Sequence, residues 1–443
     1  PAAVGDPLPA ITCTNGFSAT VYAQGLNTPH GLTFGPDGRL YVAEDTAGRV
    51  NQIGPGGVIT PVITGLNQPK GLTFDAAGNL YVVEDVETAS GGRLVKLAAG
   101  SGVTSTIASG LNGPEGLTWV DDGSAAGKLY LTESNLAYAL SISSTNANDY
   151  RTHVTRVDPA IPGVFSRLIT TTSVFTFVFF PTPQITAKFW SYTGDIKQGP
   201  DGRLYFSNEL AGGTTSGTRQ GVPYTATSGE SIFWIDPLNP ASPPPAFTDN
   251  SAIGPEGLSF QADGSFPLIV AEEDVGGGVG RLSQVDAAGN RTTLCTGLGT
   301  LEAVALDSNG WLYAAEDGTG RVVVIKGNSP PPAPVSPDNV TISGATEGIT
   351  GTSYAFVASV TPISATTPVT YTWQADGQSP VTTASSSLTN TVNFSWGSAG
   401  SKMITVTVEN GSGQVSDSHT ITLAASSSNS GNFKTFLPLV IKN

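Results

Sequence analysis

The chain has 443 residues, only 12% of them charged, with 20 Lys and Arg against 35 Asp and Glu for a formal charge of −15. That balance argues against nucleic acid and anionic membranes as partners, since phosphate binding needs clustered Lys and Arg, and no apolar run nears the roughly 20 residues of a membrane span. The 39% hydrophobic share is enough to build a core, and the length suits two or three domains.

The first predicted strand is Phe17-Ser-Ala-Thr-Val-Tyr22. Beyond it one phrase recurs six times: Leu40-Tyr-Val-Ala-Glu44, Leu80-Tyr-Val-Val-Glu84, Leu129-Tyr-Leu-Thr-Glu133, Leu204-Tyr-Phe-Ser-Asn208, Leu268-Ile-Val-Ala-Glu272 and Leu312-Tyr-Ala-Ala-Glu316. Most copies follow a Gly-Leu-x-Phe strand and an Asp-Gly or Gly-Asn turn, as in Gly31-Leu-Thr-Phe-Gly-Pro-Asp-Gly38, and most precede Gly-Arg and a third strand, as in Gly48-Arg49-Val50. A fourth strand leads into the next Gly-Leu. Each unit is thus about four short strands whose turns supply positive φ and whose apolar runs suit burial on both faces. Such units cannot bury their faces alone, whereas six arranged radially can. The units run 26–64, 65–109, 110–170, 171–250, 251–296 and 297–328. The last lacks its fourth strand, and the strand at 17–22 is expected to supply it.

Residues 329–338 form a Pro-rich spacer in extended conformation. Residues 339–424 alternate apolar and polar over about seven expected strands, which suits a β-sandwich with Trp373 in its core. Residues 425–443 are a flexible linker and a terminal apolar strand, Phe436, Leu437, Leu439, Val440 and Ile441. Two readings of that strand stay open, an edge strand of its own sandwich or one donated to a neighbour or a sorting machine. The fold class is all-β, a six-bladed β-propeller over 1–328 followed by an Ig-like sandwich.

The repeated units resemble the six-bladed NHL and SMP-30/gluconolactonase-like propellers. They are most similar to the ScyD/ScyE family, whose units also read Gly-Leu-x-x-Pro-x-Gly-Leu, Pro-Asp-Gly and Leu-Tyr-Val-Ala-Glu. Residues 371–413 resemble a PKD-type domain, with Gln374-Ala-Asp-Gly377 a partial match to the turn usual in that family. The tail resembles Leu-Pro-Leu-Val endings of secreted proteins from Chloroflexota-type bacteria. These resemblances imply an extracellular location.

The residue before each Gly-Leu is expected to line the propeller channel: His30, Lys70, Glu115, Glu256, Glu302, and Gly194 by alignment. Three carboxylates around a narrow channel need a cation, a shared proton, or water and distance. Lys70 and His30 offer part of the compensation, and Ca²⁺ suits the oxygen-rich remainder. In gluconolactonase-like relatives the equivalent positions carry Glu and Asn that bind the catalytic metal, so Glu115, Glu256, Glu302 and His30 are the candidate metal set, although the asparagines are lacking here. The second acidic set, Glu44, Glu84, Glu133, Glu272 and Glu316, recurs in five units, which fits a structural ion pair with the nearby Arg better than a catalytic site that need occur once.

Other catalytic chemistry finds no support. The three histidines are scattered, and neither a Gly-x-Ser-x-Gly elbow nor an HExxH helix occurs. Cys13 and Cys295 pair if the protein is secreted and stay reduced in a cytosol. About 35 extra residues lie between the third and fourth copies. They hold Phe175, Phe177, Phe179 and Phe180, read either as a buried propeller strand or as an exposed aromatic patch for a partner. Residues 211–230 read as a surface loop.

These observations favour a secreted, non-catalytic surface or matrix protein whose partners are other copies of itself or cell-surface components. The alternatives are a metal-dependent lactonase or esterase and a carbohydrate- or peptide-binding propeller.

Overall fold

A computed structural model describes residues 2–14, 16–86, 90–124, 126–134, 151–172, 174–178, 184–189, 194–208, 214–219, 222–228, 231–241, 244–248, 252–261, 264–273, 278–327, 335–362, 365–366, 369–385 and 387–426. It divides into two compact units, 1–333 and 334–443.

The first unit is a six-bladed β-propeller. Blades 1, 2 and 3 are antiparallel four-stranded sheets starting with the inner strands Pro29–Phe34, Pro69–Phe74 and Pro114–Val120. Blade 4 has three strands, Ile196–Gln198, Leu204–Ser207 and Ile232–Ile235, with Ala246 bridged to Phe233 where a fourth would run. Blades 5 and 6 begin with Pro255–Ser259 and Leu301–Leu306. The inner strands neighbour one another in a closed ring.

The repeated phrase forms the second strand of each blade. It is buried at every position in blades 1, 2, 5 and 6. Its two-residue period explains how both faces are used. Leu40 and Val42 pack with Tyr313, Ala315 and Val322 of blade 6. Tyr41 and Ala43 pack with Leu72, Leu80 and Val82 of blade 2. The tyrosine also anchors the preceding turn: Tyr41, Tyr81, Tyr205 and Tyr313 each donate their hydroxyl to the turn aspartate, Asp37, Asp75, Asp201 and Asp307, at 3.0–3.2 Å.

The ring closes with the chain's beginning. Ser18–Gln24 pairs antiparallel with Arg321–Lys326 as the outer strand of blade 6. Thr12–Cys13 adds a fifth strand to blade 5, and Cys13 is disulfide-bonded to Cys295.

Two expectations need correction. Residues 174–178 are not a blade strand, and within the loop expected at 211–230 the described residues 214–219 and 222–228 are strands. Val174–Val178, Gln184–Phe189, Val222–Ser228 and Thr214–Arg219 pair in that order as a separate four-stranded sheet with a parallel central pair. Its two halves come from different connections, one between blades 3 and 4 and one between the second and third strands of blade 4. Local patterning does not reveal such long-range pairing. Phe179 and Phe180 lie outside the described residues.

The second unit is a β-sandwich of a three-stranded sheet, Asn339–Gly344, Ser353–Thr361 and Thr389–Ser395, and a five-stranded sheet ending in Val381–Ser385. Trp373 is fully buried between them with Phe356, Tyr371 and Trp396, and its Nε1 donates to Asn390 Oδ1 at 2.8 Å. The terminal residues Phe436, Leu437, Leu439, Val440 and Ile441 lie outside the described residues.

Candidate functional site

The channel is built from the first turn of each inner strand. The glycine after the lining residue permits the ring to be tight. A Cβ on Gly116 would stand 2.7 Å from the Asp195 Cα, and one on Gly257 2.6 Å from the Ala303 Cα. Real side chains do not tolerate such contacts, so the inner strands approach as closely as they do because these positions are glycine. The residue before Pro is held at positive φ in four blades: Thr28 (49°), Gln68 (48°), Gly113 (46°) and Gly254 (53°). Its carbonyl receives the N–H that follows the second strand, from Asp45 to Thr28 and from Asp85 to Gln68.

His30, Glu115, Glu256 and Glu302 line one small cavity, together with Asp195 and Lys197. His30 Nε2 stands 2.9 Å from Glu115 Oε1 and 3.1 Å from Glu302 Oε2, so a single imidazole reaches from blade 1 to blades 3 and 6. Lys70 Nζ lies 3.2 Å from Asp45 Oδ2 and 3.6 Å from Glu115 Oε1. The cluster is buried, with side chains 11–14% exposed apart from Asp45 at 20%.

Charge balance sets the protonation. Burial and the Lys70 ammonium oppose a charge on His30, yet the Glu302 and Glu115 carboxylates outweigh them and raise its pKa above the usual 6.5. Burial alone would raise Glu115, but Lys70 and His30 hold it below 4.5. Glu302 moves the other way: burial dominates, His30 and Lys70 only partly offset it, and Glu115 and Asp317 add repulsion. The three groups His30, Glu115 and Glu302 therefore form a proton-holding cluster in which Glu302 is the carboxylate that gives way.

Blade 4 departs from the pattern. Its register places Ile196 opposite Phe206 as Leu32 stands opposite Val42 in blade 1, so Gly194 takes the position of His30 and Asp195 that of Gly31. Asp195 and Lys197, which sequence reasoning missed, line the channel there and pair at 2.6 Å. Asp195 Oδ2 also accepts the Leu258 N–H of blade 5 at 3.2 Å. The available signal was the replacement of Gly-Leu by Asp-Ile.

The second acidic set is structural. Glu44, Glu84, Glu133, Glu272 and Glu316 are fully buried, and each is ion-paired, with Arg49, Arg93, Arg167, Arg281 and Arg321 in turn. Each also accepts a backbone N–H from the segment entering its blade's inner strand: Asn27, Asn67, Asn112, Ile253 and Gly299. The carboxylate thus fastens the inter-blade crossing to the blade. Because the glutamate is buried while its arginine is partly exposed, losing the arginine would leave an uncompensated buried carboxylate.

Comparison with known proteins bears on each unit separately. Residues 339–423 match the PKD domain family. No curated protein matches the chain. Among solved structures, XC5397, a gluconolactonase from Xanthomonas campestris, is 14% identical at a TM-score of 0.48, covering 73% of this chain and 97% of that one. The PQQ domain of pyranose dehydrogenase from Coprinopsis cinerea is 15% identical at 0.46, covering 73% and 99%. Virginiamycin B lyase from Staphylococcus aureus is 14% identical at 0.39, covering 70% and 99%. Among the described residues no helix is long and apolar enough to cross a membrane.

Proposed function

We propose that the protein works outside the cell as a non-catalytic surface or matrix component, its propeller a rigid platform and its PKD sandwich an extracellular module. The observation that carries this reading is the ion pairing inside the channel. Glu115 and Glu302 share His30, Glu115 and Asp45 share Lys70, and Asp195 holds Lys197. A divalent ion such as Ca²⁺ entering here would meet an ammonium and an imidazolium instead of a free oxygen cage, so the donor set as arranged does not fit a resident metal. The PKD match and the Cys13–Cys295 bond, at home in an oxidising compartment, support the extracellular setting.

The test combines calcium titration by calorimetry with assays of aldonolactone hydrolysis, on the intact chain and on Glu302→Gln. The expected result is neither calcium heat nor turnover above the uncatalysed rate. Calcium-dependent turnover lost in Glu302→Gln would replace this reading by the hydrolase one.

A further inference from the structure

Chain order joins each blade to the next, from blade 1 to blade 6. The junction that closes the ring is different. Ser18–Gln24 belongs by sequence to blade 1, which it enters through residues 25–28, and by pairing to blade 6, where it lies against Arg321–Lys326. At that ladder the ring is held by hydrogen bonds and packing.

A strap covers this junction from outside. Residues 5–8 run along the other edge of Ser18–Gln24. The Gly5 N–H donates to the Val21 carbonyl at 2.8 Å, the Val21 N–H to the Asp6 carbonyl at 3.1 Å and the Leu8 N–H to the Ala19 carbonyl at 3.0 Å. Upstream, Val4 meets a turn of blade 1, where a Cβ on Gly57 would stand 3.0 Å from Val4 Cγ2. Downstream, Ile11 is buried in the core shared by blades 5 and 6, with Leu282, Leu294, Leu312 and Val323. The strap therefore crosses blades 1, 6 and 5 in turn. Its backbone hold on blade 5 is short: the two-residue strand Thr12–Cys13 and the Thr14 N–H on the Leu294 carbonyl at 2.8 Å. A ladder that short does not hold a chain terminus by itself.

The Cys13–Cys295 bond supplies the rest. Only residues 14–17 separate Cys13 from the closing strand, so the bond tethers the start of that strand to blade 5. Traced from blade 1 back to Cys13 and across to Cys295, the covalent path bypasses the hydrogen-bonded junction. A closing strand that loses its ladder stays within reach and pairs again. We propose that this bond is a redox-sensitive latch on ring closure. Oxidised, it keeps the strap and the closing strand in place; reduced, it lets both peel from blades 5 and 6 while the other blades stay folded. The two sulfurs differ in access, Cys295 being fully buried and Cys13 half-buried. A dithiol reductant therefore attacks the Cys13 sulfur, and Cys295 leaves as a thiolate that takes up a proton. The second thiol of the reductant then closes its own disulfide and frees Cys13, so two electrons and two protons pass to the protein. The latch involves no channel residue and stands or falls independently of whether the protein is catalytic.

Hydrogen–deuterium exchange read by mass spectrometry on the full chain tests this. Three samples are compared: the oxidised protein, the same folded protein treated with dithiothreitol, and the Cys13→Ser, Cys295→Ser double variant. Loss of the bond is expected to speed exchange in residues 5–24 and 321–326 by at least about tenfold. Exchange in Leu80–Glu84 of blade 2 and Lys128–Ser134 of blade 3 should stay as it was, and reoxidation should restore the slow rate at the junction. Unchanged exchange in residues 5–24 overturns the proposal. So does equal acceleration in every blade, which would make the bond a general stabiliser, and so does a bond that survives the reductant in the folded chain. If the double variant fails to fold, the treated natural protein decides.

Discussion

Thr28 and Gln68 adopt a left-handed backbone where blades 3 and 5 carry Gly113 and Gly254. The left-handed region costs a non-glycine residue about 1–2 kcal/mol, part of which glycine's greater freedom when unfolded takes back. Gln68→Gly is therefore expected to raise the unfolding free energy by about 1 kcal/mol in urea titrations, and an unchanged or lower midpoint would show that the Gln68 side chain contributes more than its backbone costs. At this scale the sequence was partly legible. The clamp glutamates were readable as structural because a feature present in five blades cannot be a unique active site. The channel residues His30, Glu115, Glu256 and Glu302 were readable from their place before the glycine. Asp195 and Lys197 were not, because the inner strand of blade 4 has only three residues and lacks the Gly-Leu that marks the others.

Among elements, the inner strands of blades 1, 2, 3 and 6 are tied across the channel by His30, Lys70, Glu115 and Glu302, and the sign of each contribution follows from its shift. His30 is raised above 6.5, so its stabilisation is complete below that pH and is lost as pH rises through the higher folded value. Glu115 is held below 4.5, so its share is present above 4.5 and is lost as pH falls through the folded value. Glu302 is raised, so its ionisation works against the fold as pH climbs past 4.5. Asp45, Asp195, Asp317, Glu256 and Lys197 also face this region, from the adjoining strand ends. His30 and Glu115 together favour the folded state most between about pH 4.5 and 6.5, and the cost of ionising Glu302 falls within and above that window. Urea midpoints measured from pH 4 to 9 should decline above that window, and His30→Asn should remove most of the decline while lowering the plateau. An unchanged slope in His30→Asn would assign the decline to other groups. The inserted sheet shows what strand patterning misses. Its aromatic run reads equally well as a blade strand, and only the parallel pairing of Gln184–Phe189 with Val222–Ser228 separates the two.

For the molecule as a whole, propeller and sandwich were legible from the six copies of one phrase and from alternation after the Pro-rich spacer. The pairing of Cys13 with Cys295 was left open, because cysteine count alone does not say which compartment a chain inhabits. The bond joins residues 282 apart in sequence. In the chain-entropy account such a link limits the unfolded ensemble, and removing a native one typically costs about 2–4 kcal/mol. Cys13→Ser is expected to unfold at lower temperature in scanning calorimetry, with the loss confined to the propeller transition. A shift in the transition of the PKD sandwich instead would contradict the division into two units.

The outer strand of blade 6 lies at 18–24 and its partner at 321–326. A chain that emerges from its amino end first therefore makes this strand early and cannot use it until some three hundred residues later. In the interval the strand is an open edge, and the first and the most recently made blade each lack one neighbour. Closure of this ring needs residues 321–326, so a chain interrupted before them leaves the strand at 18–24 without its partner.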